Sequence, residues 1–412
     1  MARGGMPGSV PLRRVRLRLA FVVQRYGLEV AGGAELHCRW VAEQLARRHQ
    51  VEIFTTQALD HVGWTHGYPA GAASVNGIPV HRFAVVRAAS PRQMASLSNR
   101  VFKLPHTRED EEAFVRALGP ESPDLVAAVA AARERFDLFV FFSYRYYHSY
   151  FGLPGVREKA VLVPTAEEDD ALGLGVYAEL FRMPRAIAFN TPEERGLIEA
   201  AAGGASLPGR VVGCGLSLPE AQTAPEAGQR FGLTRPFLLY LGRIEPNKGC
   251  GMLFAYFKTL AGRFGSDLDL VLAGRATMPM PDHPRIRHLG FVSEEEKVGL
   301  LKGCAALVMP SPYESLSLVL LEAWAFGAPV LANGRCRVLR GQCLRSGGGL
   351  AYLGYEEFAA AAGLLLDRPD LRAALGRQGR AYVEREYGWE RVLAKLELIF
   401  AEALSPQRLA PE

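Results

Sequence analysis

The sequence predicts two doubly wound α/β domains in tandem, and three observations support that prediction. The chain has 412 residues, more than the roughly 250–300 that one hydrophobic core usually serves. Short apolar segments typical of buried parallel strands alternate with segments of helical periodicity. A unit of strand, glycine-bearing loop and helix opens the chain and occurs again after a Gly/Pro/Ala-rich stretch at residues 213–228. We therefore expect an N-terminal domain over residues 1–212, a C-terminal domain over 213–387 and a final helical segment over 388–412.

Hydrophobic periodicity carries the assignment of each element. The strand RLRLAFVV precedes the loop QRYGLEVAGGAE and a helix whose residues Ala34, Cys38 and Leu45 share one face. Asn76-Gly77 indicates a hairpin turn. Further buried strands are predicted at VEIFTT, DLFVFF, AVLVP and AIAFN in the first half, and at FLLYLG, LDLVLAG, ALVMP and PVLA in the second. Because such sheets bind ligands at the carboxyl ends of their strands, we expect the functional site in the cleft between the domains.

Composition and charge exclude several classes of function. The net charge of +5 is small for this length and the basic residues are scattered, so we expect no nucleic-acid partner, whereas a peripheral contact with anionic lipid stays open. The six cysteines have no CxxC spacing, which predicts buried thiols in a reducing, cytoplasmic compartment and no zinc site. No window approaches the roughly 18 apolar residues that a membrane span needs.

Two cations in the second half are suited to bind a diphosphate. Arg243 and Lys248 lie in the loop YLGRIEPNKG, which leaves a buried strand and enters a helix. Gly242 and Gly249 beside them allow close approach of the backbone, and the helix N-terminus adds free N–H groups. A solvated basic loop is the alternative interpretation.

Two carboxylates flank an apolar run in the segment ESLSLVLLEAWAFGAPV. Glu314 follows the strand ALVMP and a turn, and Glu322 lies eight residues further on inside a predicted helix, for which Ser315 or Ser317 can serve as the N-cap. Glu322 has no evident salt-bridge partner in the local sequence, and an exposed helix-face glutamate is the alternative for it. Together with the two cations, these carboxylates describe a pocket for a nucleotide diphosphate-sugar.

The motif from Glu314 to Glu322, with Arg243 and Lys248 upstream in GRIEPNKG, resembles the retaining glycosyltransferases of family 4, which have the GT-B fold of two Rossmann-like domains facing across a cleft. The resemblance runs from the GGAE loop to GAPVLA. It implies that Arg243 and Lys248 neutralise the donor diphosphate, that Glu314 contacts the transferred sugar at the reaction centre and that Glu322 binds the ribose hydroxyls.

The resemblance implies further donor contacts and a mechanism. Gly32 and Gly33 would close over the phosphates, and the nucleobase would lie beside Gly290 and Phe291. Sugar and phosphate would be held along the backbone of the segment Ser315, Leu316, Ser317 and Leu318. The departing diphosphate would accept the acceptor's proton, so neither a separate base nor a metal cofactor is expected. The only DxD, Asp267-Leu-Asp269, is interpreted as surface charge at the start of a strand.

The last helix resembles the one that crosses back onto the first domain in GT-B proteins, and we expect the same crossing here. Its apolar residues keep helical spacing and need a surface to pack on. They are Trp389, Val392, Leu393, Leu396, Ile399, Phe400 and Leu404.

Two positions depart from the family pattern. Ser317 stands where the family commonly has glycine, and its side chain could narrow the sugar pocket. In VPTAEEDD, Glu167 stands where similar proteins tend to carry a histidine. Glu167 is therefore a candidate for contact with a sugar hydroxyl or the acceptor, with an exposed acidic loop as the alternative.

The acceptor side is the least determined part of the sequence. The tyrosine-rich segment FFSYRYYHSYFGLP follows a first-half strand, and sugars stack on aromatic rings. Tyr144, Arg145, Tyr147 and His148 are therefore acceptor candidates, with packing of these aromatic side chains beneath the long loop as the alternative.

These observations predict a retaining glycosyltransferase. It would move a hexose-type sugar from a nucleotide diphosphate-sugar to a glycan or lipid-linked acceptor in bacterial surface polysaccharide or glycoconjugate synthesis, in the cytoplasm or at the cytoplasmic membrane face. A non-catalytic nucleotide-sugar-binding partner subunit and a nucleotide-sugar epimerase of the same fold are the alternatives. A dinucleotide dehydrogenase is disfavoured because no GxGxxG joins the first strand to its helix.

Overall fold

Two mainly parallel sheets, each covered by helices, form the part of the protein that the structure describes. The computed structural model describes residues 16–30, 32–61, 63–65, 67–87, 89–216, 230–264 and 267–405. Part of the stretch predicted as the domain boundary, residues 217–229, lies outside the described residues. The first sheet has eight strands and the second has six.

The N-terminal domain alternates strands and helices from its first strand onward. Its elements are β1 (Arg18–Val22), α1 (Gly33–Ala46), β2 (Gln50–Thr56), β3 (Gly71–Val75), β4 (Ile78–Phe83), α2 (Pro91–Lys103), α3 (Arg108–Leu118), α4 (Pro123–Ala131), β5 (Leu138–Phe142), α5 (Tyr147–Gly152), β6 (Ala160–Val163), α6 (Gly175–Arg182), β7 (Ala186–Phe189), α7 (Pro192–Ala201) and β8 (Gly209–Val211). The strand order is β3-β4-β2-β1-β5-β6-β7-β8, and only the β3–β4 pair is antiparallel. The predicted hairpin turn at Asn76-Gly77 joins this pair and is confirmed, with positive φ at both residues.

The C-terminal domain repeats the same construction with fewer strands. Its elements are β9 (Phe237–Leu241), α8 (Cys250–Phe264), β10 (Asp269–Ala273), β11 (Ile286–His288), α9 (Glu294–Gly303), β12 (Ala306–Met309), α10 (Leu318–Ala325), β13 (Val330–Asn333), α11 (Arg337–Ser346), β14 (Gly349–Tyr352), α12 (Tyr355–Asp367), α13 (Pro369–Glu386) and α14 (Trp389–Leu404). The order β11-β10-β9-β12-β13-β14 is parallel throughout. The predicted fold class of two parallel-sheet α/β domains is confirmed.

The central strands are buried on both faces because helices cover both sides of each sheet. All five residues of β5 and of β9 are buried, which explains why these strands have continuous apolar sequences rather than alternating ones. All six cysteines are free and buried in these cores. The interpretation of the DxD as surface charge is correct only for Asp267, because the side chain of Asp269 is buried at the start of β10 near Arg235.

Helix α14 belongs spatially to the N-terminal domain although it ends the described chain. Val392, Leu396, Ile399 and Phe400 are buried in the same core cluster as residues of β1 and β5. The residues just before it pack in the other domain, where Tyr387 lies in the core of the second sheet. The chain therefore crosses between domains at Gly388.

The other crossing passage packs against this one. Gly215 follows the first domain, and a Cβ atom placed there would lie 2.4 Å from the ring of Trp389, the first residue of α14. The backbone amide of Leu216 donates to the carbonyl of Tyr387 at 3.2 Å. The two passages thus fix each other where the domains join. None of the described helices is long and apolar enough to cross a membrane.

We expect Leu396→Ala to destabilise the protein by about 2–5 kcal/mol, because it leaves a cavity under α14. Leu398→Ala on the same helix is the matched control, since Leu398 is 45% exposed and its truncation should change stability by less than about 0.5 kcal/mol. Urea denaturation of both variants measures the difference. Equal stability of the two would show that the buried face of α14 does not hold the N-terminal core.

Candidate active site

The loop after β9 presents its two cations at the carboxyl end of the second sheet. Arg243 follows the strand at once, and a short 3-10 turn, Pro246–Lys248, carries the lysine. Gly249 ends this turn with φ 75°, and a Cβ atom there would lie 2.2 Å from the carbonyl oxygen of Pro310. Only glycine suits this position, because it supplies both the left-handed backbone and the close approach to the chain after β12. Lys248 is thereby held against the turn that carries Glu314.

Lys248 and Glu314 form an ion pair at the centre of the site. Lys248 Nζ donates to Glu314 Oε1 at 2.9 Å, and the glutamate side chain is only 13% exposed. Partial burial opposes the charged form of the lysine, but the carboxylates of Glu314 and Glu167 raise its pKa. The lysine therefore stays cationic across the physiological range. It is a fixed positive charge that a phosphate group can share.

Glu167 reaches the same lysine from the N-terminal domain. Its Oε1 lies 3.8 Å from Lys248 Nζ, and the side chain is 36% exposed. Burial raises the pKa of Glu167 to about 7, with the charge of Glu314 adding to the shift and Lys248 and Arg145 opposing it. The alternative of an exposed acidic loop fits its neighbours Glu168 and Asp170, which are exposed, better than Glu167 itself.

A histidine that the sequence did not predict as a site residue contacts the second cation, Arg243. Arg243 Nη1 donates to Nε2 of His61, in the loop after β2, and Arg243 also pairs with Glu245 at 3.3 Å. Burial lowers the pKa of His61, as do the charges of Arg243 and Arg25, which keeps the imidazole neutral and able to accept this bond. No sequence motif marks His61, because the contact joins residues 182 positions apart.

Glu322 is neither exposed nor without a partner. Its side chain is 8% exposed on α10, and Lys297 on α9 donates to its Oε1 at 2.9 Å. Burial raises the pKa of Glu322, and the lysine opposes that shift. Local sequence does not indicate Lys297 as the partner, because it lies 25 residues upstream on another helix.

Ser317 caps α10 from a left-handed backbone. Its φ is 70°, and its hydroxyl accepts from the amide of Leu320 at 3.4 Å. Ser315, the other predicted cap, uses its carbonyl instead to accept from Thr191 of the first domain at 3.3 Å. The expected donor segment thus begins at this interdomain contact, and Leu316 within it is buried while Leu318 starts the helix. The left-handed geometry gives a physical reason for glycine at the position of Ser317 in the resembling family.

The glycines of the first-domain loop lie at the start of α1. Gly32 is the N-cap residue and Gly33 the first helical residue. A Cβ atom on Gly32 would lie 2.2 Å from a carboxylate oxygen of Glu35, which is buried and bound by Arg25 and Gln24. A side chain at this position would therefore displace the Glu35 carboxylate from its buried pair with Arg25. After the edge strand β11, Gly290 has φ 71° and the side chain of Phe291 is 77% exposed.

Most of the acceptor candidates lie in the core. Tyr144 packs against Tyr177 and Phe181, Tyr147 is buried, and the Nε2 atom of His148 lies 2.8 Å from the carbonyl oxygen of Phe142. The prediction of direct acceptor contact is corrected for these three residues, because burial keeps them from a ligand and the packing alternative describes them.

Arg145 differs from its neighbours in the tyrosine-rich segment. It pairs with Asp169 at 2.8 Å and is partly exposed. Because its charge also acts on Glu167, it lies at the edge of the site. Of this segment, Arg145 is the residue that the structure brings to the cleft.

The fold and the site together define a class of architecture, the GT-B fold. Sucrose-phosphate synthase from Thermosynechococcus elongatus superimposes with a TM-score of 0.68 at 18% identity, over 93% of this chain and 98% of that chain. HepE from Anabaena, solved with UDP and glucose, gives 0.67 at 18% identity, over 94% of this chain and 99% of that chain. At these identities the likeness establishes the fold.

The family match lies within the second domain. Residues 226–382 match the family model of glycosyl transferases group 1, a range that includes the site residues Arg243, Lys248, Glu314 and Glu322. A GDP-mannose-dependent monoacylated alpha-(1-6)-phosphatidylinositol monomannoside mannosyltransferase of Corynebacterium glutamicum is 29% identical over 42% of this chain and 49% of its own length. A D-inositol 3-phosphate glycosyltransferase of Streptomyces griseus is 28% identical over 46% and 44%. The chain thus spans about half or less of these curated relatives.

We expect Ser317→Gly to stabilise the protein by about 1 kcal/mol, because it removes the left-handed strain, whereas glycine is nearly as good an N-cap as serine. Ser317→Ala keeps the strain and loses the capping hydroxyl, so it should destabilise by about 0.5–1 kcal/mol. Thermal and urea denaturation of the pair test this. A Gly variant no more stable than the Ala variant would contradict the assignment of strain.

Lys297→Met should destabilise the protein by roughly 3 kcal/mol, because it leaves the Glu322 carboxylate buried without its cation. The penalty should grow as pH rises above the unfolded-state value of the Glu322 pKa, since burial already raises that pKa in the folded state. Adding Glu322→Gln should restore most of the loss. The free energies of unfolding of single and double variants at pH 5 and pH 8 provide the measurement, and a double variant no better than Lys297→Met would refute the pairing.

Proposed function

We propose that the protein is a retaining glycosyltransferase of family 4 that uses a nucleotide diphosphate-sugar. One observation carries the proposal: the partly buried Lys248 is paired with Glu314 in the cleft. Arg243 precedes Lys248 by one short turn in the same loop after β9. Positive charge for a leaving diphosphate and a carboxylate for sugar hydroxyls are thereby assembled at the carboxyl ends of two neighbouring strands. Open α/β sheets bind their ligands at this edge.

The geometry suggests what each group would do in transfer. The diphosphate would share Lys248 with Glu314 and draw Arg243 away from its contact with His61, so that both cations face the negative charge that grows on the leaving group. Glu314, released in part from the lysine, would accept from a hydroxyl of the sugar. Glu322, about one turn into α10, would accept from the ribose. The departing diphosphate would take the acceptor's proton, and the protein would act by alignment and electrostatic stabilisation.

The names of the similar proteins guide the choice of donor and acceptor. One relative is named as GDP-mannose-dependent and acting on a phosphatidylinositol mannoside, and HepE was also solved with UDP-glucose. We therefore propose a hexose-type donor with UDP or GDP and a glycan or lipid-linked acceptor of a bacterial surface glycoconjugate. Transfer without a metal and a place at the cytoplasmic membrane face are parts of the same proposal, and activity retained in EDTA would support the first.

Glu314→Gln and Lys248→Ala should each lower turnover by about 100-fold or more while leaving the fold intact, because each removes charge from the reaction centre. Lys258→Ala, on the exposed face of α8, is the matched control and should leave turnover unchanged. The donor is first identified by thermal shift with UDP-, GDP- and dTDP-sugars, since a bound ligand stabilises the native state. Transfer to an acceptor is then measured as the release of nucleoside diphosphate.

The same assay separates the alternatives. A donor that is isomerised without any acceptor would indicate an epimerase. A donor that binds in the wild type but is never turned over would indicate a binding subunit. Near-normal transfer by Glu314→Gln or Lys248→Ala would overturn the assignment of the site.

A further inference from the structure

Lys248 faces two carboxylates from two different domains, and this is more negative charge than one lysine can neutralise. Glu314 accepts its hydrogen bond at 2.9 Å, and Glu167 lies at 3.8 Å. A nucleoside diphosphate bound at the same lysine would add at least two more negative charges. An ionised Glu167 would then face the phosphate with no cation of its own, and like charges at this range repel.

The other charged groups around Glu167 do not supply that cation. Arg145, from the end of β5, is paired with Asp169 at 2.8 Å. Arg337, at the start of α11, pairs with Glu168 at 3.3 Å. On the remaining sides Glu167 meets Glu314 and Asp169, both of which add negative charge. The nearest positive charges are thus already engaged with other carboxylates.

The backbone that carries Glu167 is fixed at several points. Thr165 has φ 50°, an unfavourable value for a β-branched residue, and its hydroxyl lies 2.9 Å from that of Ser143 at the end of β5. The next amide, that of Ala166, donates to the buried carboxylate of Glu194 on α7 at 2.6 Å. These contacts hold the strained segment in one backbone conformation. The backbone that places Glu167 beside Lys248 is therefore held in position when a phosphate arrives.

We propose that Glu167 binds the donor diphosphate in its protonated form, donating its O–H to a phosphate oxygen, so that each binding event takes up one proton. The proton comes from solvent and adds to the Glu167 carboxylate, which changes from an acceptor with a negative charge to a neutral donor. The inference rests on the proposed function, since it requires a diphosphate at Lys248. Glu167 would then be a donor-binding residue and would make nucleotide affinity depend on pH.

The expected pH range follows from the free protein. Burial raises the pKa of Glu167 to about 7, so the group is partly ionised at pH 7 and mostly ionised at pH 8.5 before the ligand arrives. The bound phosphate raises that pKa further. Because the complex then holds more protons than the free protein, affinity falls as pH rises from 7 to 8.5, on the order of tenfold.

Isothermal titration of UDP and GDP at pH 6.5, 7.5 and 8.5, in buffers of different ionisation enthalpy, tests the proposal. At pH 8.5 we expect the wild type to take up about one proton more on binding than Glu167→Gln does. The amide of the variant can donate a hydrogen bond but does not titrate. The ligand's own phosphate titration is common to both proteins and cancels in the comparison. Glu168→Gln is the control on the neighbouring exposed carboxylate and should match the wild type.

The outcomes separate two failures. If wild type and Glu167→Gln bind with equal proton uptake and equal pH dependence, the inference is wrong and the donor site stands. Loss of binding in Glu167→Gln at every pH, with its thermal unfolding unchanged, would also overturn the inference, because it would show that the carboxylate itself is required. If neither protein binds any nucleoside diphosphate, the proposed function fails first. If the Glu167→Gln variant does not fold, measurements on the wild type in two buffers still show whether binding takes up or releases a proton.

Discussion

The rest of the site depends on one ion pair, Lys248 with Glu314, because it joins two ligand loops that the chain separates by 66 residues. The lysine is held by a left-handed turn that requires glycine at position 249, and the glutamate follows the neighbouring strand. Their partial burial strengthens the attraction between them. A phosphate that enters must share this lysine, so the pair sets the charge balance for every other group in the cleft, Glu167 included.

The two domains are positioned for this by contacts away from the ligand. Helix α14 is packed into the first domain, and the passages at Gly215 and Tyr387 lie against each other. Between the domains, Arg345 of α11 pairs with Glu193 of α7, and Thr191 donates to the carbonyl of Ser315. These contacts place the strand ends of both sheets opposite one another. Since α7 also carries Glu194, which holds the backbone before Glu167, domain contact and site geometry are coupled.

Buried polar groups and left-handed backbones occur at the place where the ligand is proposed to bind. Glu322 and Lys297 are buried together, Ser317 and Thr165 have left-handed backbones, and Glu167 has a raised pKa. Each costs folding free energy that the large apolar cores elsewhere offset. Sequence periodicity could not reveal these features, because it reports which face of an element is apolar and not which distant charge meets it. His61 and Lys297 were missed for that reason, and Tyr144, Tyr147 and His148 were misjudged because aromatic residues suit a core and a sugar site equally.

The sequence by itself determined the two-domain α/β architecture, the hairpin at Asn76-Gly77 and the presence of two cations and two carboxylates near strand ends. These follow from local periodicity, turn chemistry and short-range spacing, which need no knowledge of the fold. Only the tertiary structure decided that Lys248 lies between Glu314 and Glu167, that Arg243 meets His61 and that Glu322 is buried with Lys297. Those pairings are long-range, and charge interactions depend on distance in space and on burial, neither of which is written in the order of the residues.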